Sequence, residues 1–248
     1  MSTTLRITEE MTVRELVRVH PAMRKALEEL GIDYCCGGAK TLKQAAAEQG
    51  VDFAALEQAI DEAFHSSAAE ASPQKDWMSA SAGEIADHIE QKHHSYLKEQ
   101  LPRLAGMLPR LKAAHPRHRA TLEKLDQTMQ ALRAELEQHL QKEEIVLFPL
   151  IRHMDAAAGG GEVPQAHCGT VANPIAQMER EHEHAGDVLE QVKQITDDYT
   201  LPEDACETFA AYYQGLRDME NDLHEHIHLE NNILFPKAID LEKKSKSK

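Results

Sequence analysis

The chain of 248 residues is long enough for one substantial core with a small additional domain. Its formal charge of −15 argues against a nucleic-acid polyanion as main partner, and an aromatic content of 4% beside long stretches of Ala, Leu, Glu, Gln and Lys disfavours β-rich folds and favours helices. No run approaches the roughly 18 consecutive apolar residues of a membrane span, and the opening MSTTLRITEE lacks the basic and hydrophobic regions of a secretory signal, so a cytoplasmic chain without a membrane partner is expected.

Taken in chain order, residues 1–66 are expected to form a small helical domain. Thr12 with Glu15 makes a capping box ahead of an apolar run, Pro21 opens a second short helix, and Gly31 stops it. The stretch CCGG, containing Cys35 and Cys36, forms a turn before a helix starting at Thr41, and Asp52 caps a last helix through Phe64. A module of this size is marginal alone unless it docks on something. The polar, Ser/Ala-rich HSSAAEASPQKD reads as a linker, assigned to residues 67–80.

Residues 81–243 then contain four long helical runs: Ala82 to about Leu111, Arg117 to His153, Asn173 to Tyr199, and Glu203 to about Glu242. Short connections between most of them make an antiparallel four-helix bundle, interrupted by a Gly-rich crossover from Asp155 to Val171. Pro102 and Pro109 are expected to kink the first run or end it early.

The unusual feature of the composition is its 15 histidines. HLQKEEIVLFP (His139–Pro149) and HIHLENNILFP (His226–Pro236) share the pattern His-x3-Glu-x4-Phe-Pro. On a helix, residues i and i+4 lie on one face, so His139 with Glu143, and His226 with Glu230, can reach one ion together. The other two long helices offer His94 and His182 at matching distances from the turns; His94 to His139 is 45 residues and His182 to His226 is 44, so the halves repeat as hairpins. The pooled set is His94, His139, Glu143, His182, His226 and Glu230. Four imidazoles and two carboxylates able to bridge exceed the needs of a tetrahedral zinc ion and suit two Fe or Mn ions with open positions. One His-x3-Glu pair is commonly a surface pair of small stabilising effect; its duplication with symmetric partner histidines is what points to metal.

Glu135 and Asp222, four residues before His139 and His226, are candidates to accept the other ring N–H of those histidines; Glu181, beside His182, is a further candidate for a supporting role, facing a channel only where its helix is well buried. Phe148 and Phe235 are expected to pack the floor of the site, and the Phe-Pro pairs to mark a shift in helix geometry. Cys35 and Cys36, beside Gly37 and Gly38, read either as thiols open to a partner, iron or nitric oxide, or as an inert pair at a Gly turn.

With these residues, IDYCCGGAKTL resembles the N-terminal double-cysteine domain of the repair of iron centres family, ScdA-like. DHIEQKHHSYLKEQLP, HLQKEEIVLFP, MEREHEHAG and HIHLENNILFP resemble its hemerythrin-like di-iron domain. The resemblance implies two Fe ions per chain with an oxygen-based bridge, held by the six residues named with both glutamates bridging. It also implies repair of iron-sulfur clusters damaged by oxidative or nitrosative stress, with damaged iron-sulfur proteins as partners, and a homodimer. Iron donation is the leading expectation. The alternatives at the same centre are reduction of nitric oxide or peroxide, and a sensor or scaffold that responds to NO, O2 or peroxide.

Overall fold

The computed structural model describes residues 7–20, 23–67, 76–158 and 169–246. Among those residues every regular element is a helix, and there is no strand. The predicted Pro21 start and the Gly-rich part of the crossover lie outside them, as does Cys168.

The chain divides into two compact units, one of Met1–Ala80 with Ile227–Pro236, the other of Ser81–His226 with Lys237–Lys248. In the first, α1 (Val13–Val19) starts at the expected capping box, in which Thr12 Oγ1 accepts from Glu15 N and the Glu15 carboxylate accepts from Thr12 N. Helix α2 (Met23–Glu29) ends at Gly31, whose φ of +69° lets Ile32 N reach back to Leu27 O. Thr41 and Gln44 make a second capping box for α3 (Leu42–Glu48), and α4 (Phe53–Ser67) follows. Between α2 and α3 the double-cysteine turn is tied to the segment Ile227–Pro236. Asn231 Nδ2 donates to Cys35 O (3.2 Å), Asn232 Nδ2 donates to Tyr34 O (2.9 Å), and Arg14 Nε donates to Asn232 Oδ1 (2.8 Å).

In the second unit the first long run is α5 (Ala82–His88) and α6 (Ser95–Ala114), joined by the π-helical turn Ile89–His94. The second is α7 (Arg119–Lys142) and α8 (Phe148–Ala157), joined by the π turn Glu143–Leu147. The third is α9 (Ala172–Thr196). The fourth is α10 (Glu207–Leu229), continued along the chain by the π turn Glu230–Leu234, which is grouped with the first unit, and by α11 (Phe235–Lys246). Within this unit α7 packs on both α6 and α9, and α5 packs on α8, where Arg152 bonds Asp87 (2.7 Å) and Glu90 (2.6 Å). The chain thus combines a helical bundle with a small helical N-terminal domain, the architecture that the resemblance implies.

Two expectations are corrected. Pro102 and Pro109 do not end the first run, which continues to Ala114. Both lie on its exposed face, so the carbonyls deprived of an N–H partner turn toward water while Leu101, Leu104 and Leu108 keep the opposite face buried. The third run stops at Thr196 rather than Tyr199, because Asp197, Asp198 and Tyr199 adopt left-handed backbone with φ near +50°.

The two Phe-Pro pairs act on helix geometry as expected. A proline lacks the N–H of the regular ladder and crowds the carbonyl four residues back, here Ile145 or Asn232. Just before each proline the ladder lengthens to i→i−5, with Phe148 N donating to Glu143 O and Phe235 N to Glu230 O.

Gly38 tests the packing of the double-cysteine turn, since a Cβ there would fall inside contact distance of Asn232 Oδ1. Gly38→Ala should cost about 1–3 kcal/mol, seen as a lower denaturant midpoint for the N-terminal unit; an unchanged midpoint would show that Asn232 yields freely.

Candidate metal centre

Each of the four long runs brings one histidine to the same level. His94 is the last residue of the π turn in the first run, His139 lies in the last turn of α7, His182 lies within α9, and His226 lies near the end of α10. Glu143 and Glu230 each open a π turn one helical turn beyond a histidine. All six are buried, none more than 3% exposed.

Their ligand atoms fall into two groups, His94, Glu143, His226 and Glu230, and His139, Glu143, His182 and Glu230, each with atoms within 4.8 Å of one another. Both glutamates belong to both groups. His139 Nε2 and His182 Nε2 are 3.1 Å apart, and Glu143 Oε2 lies 3.4 Å from both His94 Nε2 and His139 Nε2. No lysine or arginine is buried among the described residues. Two fully buried carboxylates surrounded by imidazoles form a donor set that suits a cation, and its mixed N/O chemistry suits iron better than a hard oxygen-seeking ion.

The outer edges of two imidazoles are fixed in the same way. His94 Nδ1 lies 2.9 Å from Glu144 Oε1, and Lys98 Nζ donates to both oxygens of that carboxylate at 2.6 and 2.8 Å. His139 Nδ1 lies 2.9 Å from Glu181 Oε2, whose other oxygen accepts from Lys142 and from Gln177 Nε2. Hydrogen bonds from His139, Lys142 and Gln177 hold the Glu181 carboxyl well below the usual carboxylate range. A carboxylate at Nδ1 selects the tautomer protonated there, which leaves Nε2 as a lone pair aimed inward.

Apolar and aromatic contacts complete the placement. Phe148 stacks on His94 with centroids 5.4 Å apart, and His226 lies between His94 at 5.0 Å and the parallel ring of His93 at 5.6 Å. Phe148 and Phe235 are both buried.

The candidates for supporting roles are distributed differently from the sequence reading. Glu135 is not beside His139 but pairs with His184 Nε2 (3.1 Å) on the exposed side, because the outer edge of His139 is turned to α9, where Glu181 takes it. Glu181, also a candidate for a supporting role, lies against the outer edge of His139. Asp222 accepts at 2.9 Å from His93 Nδ1, and so bears on His226 through the stacked His93 ring. Glu144, Lys98 and Lys142 were missed. Consecutive glutamates at 143 and 144 point about 100° apart, so the second faces the neighbouring helix, a signal present in the sequence.

In the N-terminal unit, Asp33 Oδ1 accepts from Cys35 N (2.9 Å), Cys36 N (3.0 Å) and Cys35 Sγ (3.0 Å), and Oδ2 accepts from Gly37 N (2.9 Å). Cys35 and Cys36 are not bonded to each other, with sulfurs 3.9 Å apart. Hydrogen bonding to Cys36, burial and the Asp33 charge push the Cys35 thiol well up, so at neutral pH it is protonated.

Comparison with known proteins agrees with this layout. Residues 85–238 match the hemerythrin HHE cation binding domain, and residues 9–63 match ScdA_N, a domain of unknown function. The chain is 38% identical to the iron-sulfur cluster repair protein YtfE of Musicola paradisiaca over 230 residues, covering 93% of this chain and 96% of that protein. It is also 38% identical to the protein of that name from an Enterobacter species over 226 residues, covering 91% and 94% respectively. The chain belongs to the iron-sulfur cluster repair protein family. As a member of that family it joins a cation-binding hemerythrin-like bundle to a double-cysteine domain, and among its described residues no helix is long and apolar enough to cross a membrane.

The anchoring carboxylates can be separated from bystanders. Glu144→Ala and Glu181→Ala should each weaken metal binding about 10- to 100-fold in a chelator-competition titration, while Glu135→Ala stays within about twofold of wild type. Equal losses in all three variants would reduce the anchors to general surface charge.

Proposed function

We propose that this chain holds two iron ions between His94, His139, Glu143, His182, His226 and Glu230, and uses that iron to repair damaged iron-sulfur clusters, as its relatives are named for doing. The observation that carries the reading is the sharing of both glutamates by both His/Glu groups. A carboxylate offers two oxygens and so can serve two ions at once, whereas a neutral imidazole offers a single lone pair. Glu143 and Glu230 would therefore each serve both ions, His94 and His226 would hold one, and His139 and His182 the other. When bound, the pair of ions would supply a redox-active, exchangeable iron pool.

The chain's own residues determine how firmly that pool is held. Lys98 with Glu144 fixes His94, and Lys142 with Glu181 fixes His139. Those two carboxylates are 20% and 22% exposed, while the histidines they hold are almost wholly buried. A partner reaching the surface at Glu144 or Glu181 can thus loosen an internal imidazole without entering the core, a route for surrendering iron on contact with a damaged cluster protein. Iron donation is the function favoured here. It goes with a cytoplasmic protein, a homodimer, and a division into residues 1–66, a linker at 67–80 and a bundle at 81–243.

Metal analysis of the purified chain should give about two irons per chain, with Glu143→Ala or Glu230→Ala losing both together, as shared carboxylates require. Stoichiometric zinc, or loss of a single ion in both variants, would overturn the assignment. The iron-loaded protein should restore activity to an enzyme with a damaged cluster in the presence of a chelator that captures free iron. Absence of restoration, with N2O formed instead during anaerobic turnover with NO and a reductant, would replace donation by reduction in place.

A further inference from the structure

The end of the bundle where α6 leads to α7 and the chain enters α10 carries a nucleophile and a base that the metal centre does not use. His115 follows α6, and Cys206 immediately precedes α10. His115 Nε2 lies 3.1 Å from Cys206 Sγ. The imidazole is buried and rests edge-on against Phe209 at 5.1 Å, itself a core residue, so its direction is set by packing. The sulfur, by contrast, is exposed.

Two further features act on the sulfur. Cys206 O accepts from Ala210 N (3.0 Å), so the residue sits at the positive amino end of the 23-residue α10. The nearby charges are otherwise committed, since His118 pairs with Asp204 at 2.7 Å, with Arg117 also acting on that carboxylate. Exposed Glu203 and Glu207 flank the cysteine along the chain. A cysteine kept for packing would be buried and remote from a base. An accessible sulfur with a fixed imidazole at hydrogen-bond distance is the arrangement of an activated thiol nucleophile.

We propose that Cys206 and His115 form a thiol-exchange site that reacts with low-molecular-weight disulfides and is stored as a mixed disulfide. His115 takes the Cys206 proton, and the thiolate attacks one sulfur of the disulfide. The new bond joins Cys206 Sγ to that sulfur, the original S–S bond breaks, and its other half leaves as a thiolate that recovers the proton from His115. One thiol is consumed and one released, so Cys206 is oxidised to the disulfide level as the departing half is reduced, without any further oxidant. The contrast with Cys35 is internal to the chain. The His115 hydrogen bond and the helix N–H groups draw the Cys206 thiol down to about 7, whereas Cys35 is pushed the other way. Near neutral pH, therefore, Cys206 carries a larger thiolate share than an ordinary thiol.

The test uses the full chain and needs no metal chemistry. Iodoacetamide alkylation, followed site by site by peptide mass spectrometry across pH, should give a midpoint near 7 for Cys206. At pH 7 its rate should exceed that of a short unstructured peptide spanning Glu203–Ala210 by about fivefold, the gain in thiolate being partly offset by lower intrinsic nucleophilicity. His115→Gln should move the midpoint up by about one pH unit or more with helical content retained. Should that variant misfold, the comparison of wild type with peptide decides alone. Incubation with glutathione disulfide should place one adduct on Cys206 in wild type, and none there in Cys206→Ser. A midpoint in the ordinary thiol range, a rate equal to that of the peptide, or no adduct at Cys206 would each overturn the proposal.

Discussion

Two carboxylate side chains enclosed where water does not reach set the terms for the middle of the bundle. Burying an ionised carboxylate is expensive unless positive charge or several donors accompany it. Glu143 and Glu230 are fully buried and sit among imidazoles rather than among lysines or arginines. The long helices must then carry a histidine to the same height, the rings must be held with their lone pairs inward, and a hydrophobic layer must close the level. Phe148 against His94 supplies part of that layer, and Glu144 and Glu181 supply the orientation. None of these residues would be advantageous alone, since a buried histidine without its outer carboxylate is free to present the wrong nitrogen.

The two copies of the motif are alike on the inside and different on the outside. In the first, Glu144 turns back to anchor His94, and Ile145 and Val146 are 65% and 54% exposed. In the second, the corresponding Asn231, Asn232 and Ile233 are buried, and the two amides hold the carbonyls of Cys35 and Tyr34. The two copies thus present equivalent inner faces, while outside one serves charge anchoring and the other holds the double-cysteine turn.

The inner face was legible because helical spacing and a repeated pattern both speak to it directly. His-x3-Glu fixes a shared face, and equal distances to the turns fix a shared height. The outer partners were less legible because they depend on which neighbouring helix a ring edge meets. Glu135 had the right spacing from His139, but Glu181 on α9 was closer to the ring's outer nitrogen. Pro102 and Pro109 misled for a related reason. The disruption a proline causes depends on whether water or core lies beside the stranded carbonyl, and a single sequence does not state that. The Cys206–His115 contact joins residues 91 positions apart with no repeat to mark them.

The lengthened turns after Glu143 and Glu230 have an implication for how such a motif is counted. At about 100° per residue, positions five apart on a regular α-helix diverge by roughly 140°, so a glutamate and a phenylalanine at that separation would look into different surroundings. Here Glu143 and Phe148, and likewise Glu230 and Phe235, are all buried. The extra residue accommodated in each wide turn resets the angular phase of the helix, and brings two incompatible tenants, one ionisable and one greasy, to the same interior. The sequence interval is therefore itself the structural element. With one residue fewer, Glu and Phe would stand four apart, about 40° from each other on a regular α-helix, and would share a face without the wide turn.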